Sequence, residues 1–138
     1  MRLTASGLAS ASSVKRAAQL SFLVACVAGL ALAYLSSWWI LLVGVASILA
    51  AWGYTGGHTP YGYRGFGELS VFTFFGVVAT VGTYYVQTLH ITIAAFAASI
   101  PMGSLSCALL AINNIRDIPG DQVVGKRTLA VKLGEQKA

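Results

Sequence analysis

Two runs of 47 residues without a charged side chain, 17–63 and 69–115, decide most of what this chain can fold into. A bilayer core about 30 Å thick is crossed by about 20 apolar residues in a helix. Each run therefore holds two spans and a tight turn. Charged residues make up 9% of the 138-residue chain and hydrophobic ones 57%, against roughly 25% charged in a soluble domain. That balance excludes a disordered chain, a disulfide scaffold and an ordinary nucleic-acid binder. It predicts an all-α, polytopic transmembrane bundle forming a single membrane-embedded domain over 1–138.

Four spans are expected, at about 17–35, 38–54, 69–89 and 91–112. Ser36-Ser37 separates the first pair and His90 marks the turn of the second. Trp38, Trp39, Trp52 and Tyr54 bracket the second span, as aromatic residues do at the two interfaces of a bilayer. Pro101 lies inside the fourth span, where a bend is expected because proline frees a backbone carbonyl. In the same span Ala95, Ser99, Gly103, Cys107 and Ala111 recur every fourth residue, which would let another helix approach closely. The competing reading is the general richness of membrane helices in small residues. Cys26 and Cys107 fall within spans and read as reduced packing residues. Lys15-Arg16 before an apolar run imitates a cleaved leader, but further spans follow in place of a soluble mature domain.

All nine Lys and Arg residues lie in the N-terminal segment, the central loop 55–68 and the C-terminal segment 113–138. The excess of basic residues on the cytoplasmic side of membrane proteins places those segments, and both termini, in the cytoplasm. The formal net charge of +5 then reports topology and anion handling.

The two polar segments carry the chemistry. The central one reads YTGGHTPYGYRGFGE, with Tyr61, Tyr63, Arg64 and Glu68 among five glycines. Glycines allow tight turns and close approach to a ligand, and aromatic rings beside Arg64 can line a pocket for a flat or cationic species. The alternative is a plain interfacial connector, and His58, a lone loop histidine, has no assigned role. The second segment reads NNIRDIPGDQVVGKRTLAV. Were the helix to continue, Asn113, Asp117 and Asp121 would share a face. Asp117 and Asp121 there suit Mg²⁺, which takes one or two carboxylates together with water and substrate phosphates. Arg116, Lys126 and Arg127 would balance the remaining phosphate charge. Pro119-Gly120 between the aspartates argues for a helix ending near Asp117, with Asp121 reaching the site from a turn. The alternative is a solvated juxtamembrane segment.

Asn113-Asn114-Ile115-Arg116-Asp117, Asp121 and Gly125-Lys126-Arg127-Thr128-Leu129-Ala130-Val131 resemble the second aspartate-rich motif of the UbiA-type intramembrane aromatic prenyltransferases. Tyr54-Thr55-Gly56-Gly57, Pro60-Tyr61-Gly62-Tyr63 and Gly65-Phe66-Gly67-Glu68, with Phe74-Phe75-Gly76 and Gly82-Thr83-Tyr84-Tyr85 after them, narrow the resemblance to members acting on 1,4-dihydroxy-2-naphthoate in menaquinone synthesis. The resemblance covers nearly the whole chain. It implies the third to sixth helices of the family's bundle, starting after the first aspartate-rich motif, in a bacterial inner membrane.

The implied activity is Mg²⁺-dependent transfer of a polyprenyl group from polyprenyl diphosphate to 1,4-dihydroxy-2-naphthoate, with decarboxylation. The resemblance makes Asp117 and Asp121 metal ligands and gives Asn113, Asn114, Arg116, Lys126 and Arg127 to the diphosphate. Tyr61, Tyr63 and Arg64 fall near the aromatic acceptor or the allylic cation, and Glu68 orients Arg64 or acts as a base. The implied partners are the two substrates, the lipid bilayer and the remaining half of the enzyme as a separate chain; nucleic acid is not among them. With half of the metal ligands, the chain alone is expected to be inactive. Two other readings compete. One is a relative using another aromatic acceptor, such as 4-hydroxybenzoate. The other is a non-catalytic membrane protein whose basic tail binds anionic lipid, for which Asp117 and Asp121 would be dispensable.

Overall fold

The computed structural model describes residues 7–56 and 58–134. Gly57 of the central loop, and the charged residues Arg2, Glu135 and Lys137, lie outside the described residues. The regular structure of the described residues is all helical, with no strand among them. The chain divides into two compact units, Met1–Leu41 and Leu42–Ala138.

The first unit is dominated by α1, Ala11–Leu35. The helix starts six residues before the uncharged run. Ser10 is the reason: its side chain accepts the Ser13 N–H at 3.1 Å, filling one of the donor groups a helix start leaves open. Lys15 and Arg16 therefore ride on the first turns of the helix, so the charge boundary marks the rim of the membrane and not the helix end. At the other end the Ser36 N–H closes on Leu32 O at 2.9 Å, and the helix stops at the expected Ser36-Ser37 break. The exposed side chains of Leu20, Leu23, Val24 and Val27 are what a lipid-facing helix presents. Helix α2, Trp39–Thr55, follows the second expected span. Its 17 residues rise about 25 Å.

In the second unit the central loop forms a 3₁₀ turn, Tyr61–Arg64, ended by Gly65 at φ 91°, a left-handed conformation that glycine adopts without strain. The third span is one helical rod of three parts. α3 covers Gly67–Val71, a π-helical stretch covers Phe72–Val78, and α4 covers Ala79–Thr88. Leu89, at φ 57°, closes α4 with its N–H on Tyr85 O. Thr92 caps α5, Ile93–Arg116, by accepting the Ala95 N–H at 3.2 Å.

α5 runs unbroken through Pro101 and continues past the expected span end to Arg116. Ala95, Ser99 and Gly103, the first half of the small-residue stripe, are buried. They meet the π-helical segment so closely that a Cβ on Gly76 would lie 2.6 Å from Gly103 Cα. A Cβ on Gly103 would lie 2.7 Å from the Phe72 ring. The stripe is therefore a packing surface. Among the described residues, three helices have the length and apolarity to cross a membrane: Ala11–Leu35, Gly67–Thr88 and Ile93–Arg116, with the shorter Trp39–Thr55 beside them in sequence. The chain is an integral membrane protein.

Beyond α5 the chain folds into two short helices, α6 (Ile118–Val123) and α7 (Leu129–Leu133). Thr128 caps α7 through the Val131 N–H. Ile118, Asp121, Thr128 and Ala130 are buried, which holds this polar segment against the end of α5.

Candidate functional site

Pro119 breaks the helix after Asp117, as its missing N–H requires, and a continuous helical face through Asn113, Asp117 and Asp121 is not formed. Asp117 caps α5 at φ −90°, ψ 0°, and Asp121 sits within α6. The Asp121 N–H still donates to Asp117 O at 2.9 Å. The two aspartates thus remain one turn apart at the polar end of α5, each on its own helix.

Their surroundings differ. Asp117 takes the Arg116 guanidinium at 2.9 and 3.3 Å, with both side chains more than half exposed. Asp121 is buried, and its Oδ1 holds Lys126 Nζ at 2.8 Å, the two side chains being 9% and 14% exposed. Lys126 Nζ also stands 4.7 Å over the centre of the Tyr63 ring. The same ammonium therefore ties the second aspartate to the central loop. Two more bonds latch that loop to the C-terminal segment. The Arg127 N–H donates to Tyr63 O at 2.8 Å, and Lys132 Nζ donates to Arg64 O.

Glu68 points elsewhere. Its Oε1 accepts from Asn114 Nδ2 at 3.1 Å, so the central loop is also tied to the end of α5. Its Oε2 is buried and has no hydrogen-bond partner among the described residues. The expected pairing of Glu68 with Arg64 is not made; Arg64 is exposed and faces a cavity on the other side of the 3₁₀ turn's sequence. Tyr61 is turned toward α2. Its hydroxyl bonds Ala50 O at 2.8 Å and Ser70 Oγ at 2.9 Å, and its ring meets Tyr54 edge-on at 5.6 Å.

Two cavities flank this loop. One, of about 480 Å³, is lined by His58, Thr59, Pro60, Tyr63, Arg64, Gly125, Arg127 and Lys132. The other, of about 380 Å³, is lined by Ala50, Tyr61, Phe66, Leu69, Ser70, Thr73 and Phe74. The structure thus brings Tyr63, Arg64 and Arg127 together at the first cavity, and Asp121, Lys126 and Tyr63 at the latch. Asn114 joins Glu68. No bond or shared cavity joins Asn113 or Arg116 to those groups. His58 and Lys132, to which the sequence reading gave no role, belong to the first cavity; the signal for them was a surplus of basic residues over acidic ones at one end of the bundle.

Among the described residues, no three His, Cys, Asp or Glu side chains converge as a metal site would require. The donors present together are the hard oxygens of two aspartates one turn apart. That set fits an ion such as Mg²⁺ provided water and phosphate oxygens supply the remaining ligands.

The chain as a whole, residues 1–138, matches the UbiA prenyltransferase family. It is 50% identical over 137 residues to 1,4-dihydroxy-2-naphthoate octaprenyltransferase of Mycobacterium tuberculosis, covering 99% of this chain and 47% of the relative. The protein of the same name from Mycobacterium leprae is 49% identical over 98% of this chain and 46% of its own length. That of Escherichia coli is 38% identical over 96% and 45%. The chain therefore belongs to the UbiA prenyltransferase family, and it spans a little under half the length of these curated relatives. No solved structure matches significantly.

Proposed function

We propose that this chain carries the second aspartate-rich half of a site that transfers a polyprenyl group from its diphosphate to 1,4-dihydroxy-2-naphthoate in menaquinone synthesis. The observation behind this reading is the pair Asp117 and Asp121, one turn apart at the polar end of an apolar helix, with Arg116 bonded to the first, Lys126 to the second and Arg127 next to Lys126 in sequence. The relatives named for this reaction, at up to 50% identity, supply the choice of acceptor.

Asp117 and Asp121 would hold Mg²⁺, which when bound supplies positive charge to the departing diphosphate. Arg116, Lys126 and Arg127 add cationic charge around the diphosphate oxygens as the allylic C–O bond breaks. The apolar cavity beside Tyr61, Phe66 and Phe74 keeps water from the allylic cation, and the Tyr63 face and Arg64 border the acceptor. The naphthoate ring carbon that bears the carboxylate forms the new C–C bond to the allylic carbon. The carboxylate leaves as carbon dioxide, its electron pair restoring the aromatic ring. Products are demethylmenaquinol, carbon dioxide and diphosphate. The excess of basic residues in the same segments supports a cytoplasmic position for the two aspartates and both ends of the chain, and the membrane would be a bacterial inner one. The complementary half of the site would come from the rest of the length its relatives have, in the same chain or a separate one.

The test is prenyl transfer in membranes holding this chain extended to the length of its relatives. Asp117→Asn should lower Mg²⁺-dependent product formation by about 100-fold or more, the scale of losing one electrostatic stabiliser, with unchanged membrane insertion. Full activity in that variant would remove the metal role. The 138-residue chain alone should form no product.

A further inference from the structure

Glu68 is fixed from several sides at the start of α3. Its backbone O accepts the Phe72 N–H and the Cys107 thiol, at 3.2 Å from Sγ. Gly67 before it is buried, and a Cβ there would lie 3.2 Å from Tyr54 Oη and 3.5 Å from Leu110 Cδ2. The Glu68 side chain runs on to Asn114, whose Nδ2 donates to Oε1 at 3.1 Å. Cys107, Leu110 and Asn114 stand at i, i+3 and i+7, on one face of α5. Asp117, three residues beyond Asn114, caps the helix one turn further along that face.

The π-helical stretch aims the start of the rod at this face. Glu68, Phe72 and Gly76 all meet α5: Glu68 at Cys107 and Asn114, Phe72 at Gly103, and Gly76 at Gly103 and Ser99. Glu68 and Gly76 are eight positions apart, which in a regular α-helix overshoots two turns by about 80°. That overshoot would carry Glu68 off the contact while Gly76 stayed on it. The stretch Phe72–Val78, with its i→i+5 bonds, takes more residues per turn and absorbs the excess.

What this fixes is the end of α5. The last carbonyls of a helix lack partners within it, and helix ends open most easily. Here the last turn leads into Asp117. The Arg116–Asp117 pair joins neighbours in sequence and is exposed, so that bond ties the turn to no other helix. The Asn114–Glu68 bond does so, between part-buried side chains. A misplacement of about 1 Å in a group that grips the substrate can cost about 100-fold in rate.

We propose that Glu68 is a positioning residue for the proposed prenyl transfer: acting through Asn114, it holds the last turn of α5 so that Asp117 meets the metal and the diphosphate. The inference rests on the reading of Asp117 as a metal ligand, and it replaces the base role that the resemblance implies for Glu68.

The experiment uses the chain extended to the length of its relatives, in nanodiscs. Amide hydrogen exchange with EDTA present reads the end of α5 without metal or turnover. Prenyl transfer against Mg²⁺ concentration reads the site. Glu68→Leu and Asn114→Leu should each speed exchange at residues 114–118 by about tenfold, the scale of one lost buried hydrogen bond, and leave residues 99–107 unchanged. Each should also raise the Mg²⁺ concentration for half-maximal transfer by about tenfold. The double variant should do no more than either alone, because all three lose the same bond. Glu68→Gln keeps an acceptor for Asn114 and should restore both readouts. Glu68→Gln and Asn114→Leu carry the test should Glu68→Leu fail to fold.

Glu68→Gln as impaired as Glu68→Leu or Asn114→Leu would overturn the proposal, because the carboxylate itself would then be the acting group. Unchanged exchange and Mg²⁺ demand in Asn114→Leu would also overturn it, as would losses that multiply in the double variant. Asp117→Asn in the same assay separates this inference from the reading beneath it. Full activity there defeats both. Lost activity there, beside Glu68→Leu and Asn114→Leu variants that behave as the parent chain, defeats the positioning role alone.

Discussion

The α5 contact with the π-helical segment and the polar latch at the rim hold the same unit together by opposite means. Between Gly76 and Gly103 the order comes from missing side chains: the backbones approach so closely that one methyl group has nowhere to go. At the rim it comes from paired polar atoms. Lys126 bridges Asp121 and the Tyr63 face, Arg127 donates to Tyr63 O, Lys132 donates to Arg64 O, and Asn114 holds Glu68. In a bilayer, apolar side chains gain nothing by leaving lipid for protein, so close backbone packing does the work of a core. At the rim, where water is available, each buried polar group needs a partner. The proposed chemistry is assigned to the second region because a bilayer interior tolerates few charges.

The contrast can be broken most sharply from the packed side. Gly76→Val adds three carbons where a single Cβ would already lie 2.6 Å from Gly103 Cα, and both partners there are backbone. The α5 contact should open, lowering stability by about 3 kcal/mol, the upper range for overpacking; thermal unfolding in detergent reads it. An unchanged melting temperature would show that the close approach is not structural.

Lys126→Met probes the rim. It leaves the Asp121 carboxylate, 9% exposed, without its cation, and removes the charge over Tyr63. Breaking a buried pair from one side costs about 3 kcal/mol, discounted here because Asp121 stands beside water at the membrane surface, so about 1–2 kcal/mol is expected. Arg116→Ala in the same assay, at an exposed pair, should not move the melting temperature measurably. Equal effects of the two would mean that the latch is no more than a surface ion pair.

Much of this was legible in the sequence, for identifiable reasons. Charge gaps locate apolar helices because a bilayer tolerates few charges: α1, α2, the α3–α4 rod and α5 lie along the four expected stretches, with Ser10 and the end of α5 carrying helix beyond the apolar run, while α2 is shorter than the three helices long enough to cross a membrane. Pro119 announced the break between Asp117 and Asp121. The small-residue stripe was visible, although its partner was not. Nothing in FTFFGVV distinguishes a π-helical turn from an α-helical one, since the change of register is imposed by the packing of Phe72 and Gly76 on Gly103.

The site was legible as a set of residues and not as an arrangement. Arg127 meets Tyr63 through backbone atoms, which carry no side-chain signature. Lys126 stands in the sequence as one cation of a basic run, and nothing there shows that Asp121 and the Tyr63 ring surround it. The resemblance has Glu68 orient Arg64 or act as a base, whereas its Oε1 accepts from Asn114, a partner 46 residues away that no local pattern indicates. His58 and Lys132 gain meaning only once the latch folds residues 58–64 against 125–132.

The central claim is that the two aspartates at the end of α5 recruit Mg²⁺ to grip an isoprenoid diphosphate. Calorimetry of an isoprenoid diphosphate binding to the chain extended to the length of its relatives, with and without Mg²⁺, tests it most directly. The account predicts that Mg²⁺ tightens uptake by about tenfold or more, on the scale of added charge-assisted contacts, and that Asp117→Asn with Asp121→Asn abolishes the gain. Uptake equally strong without the ion, or a gain that survives the double substitution, would contradict it.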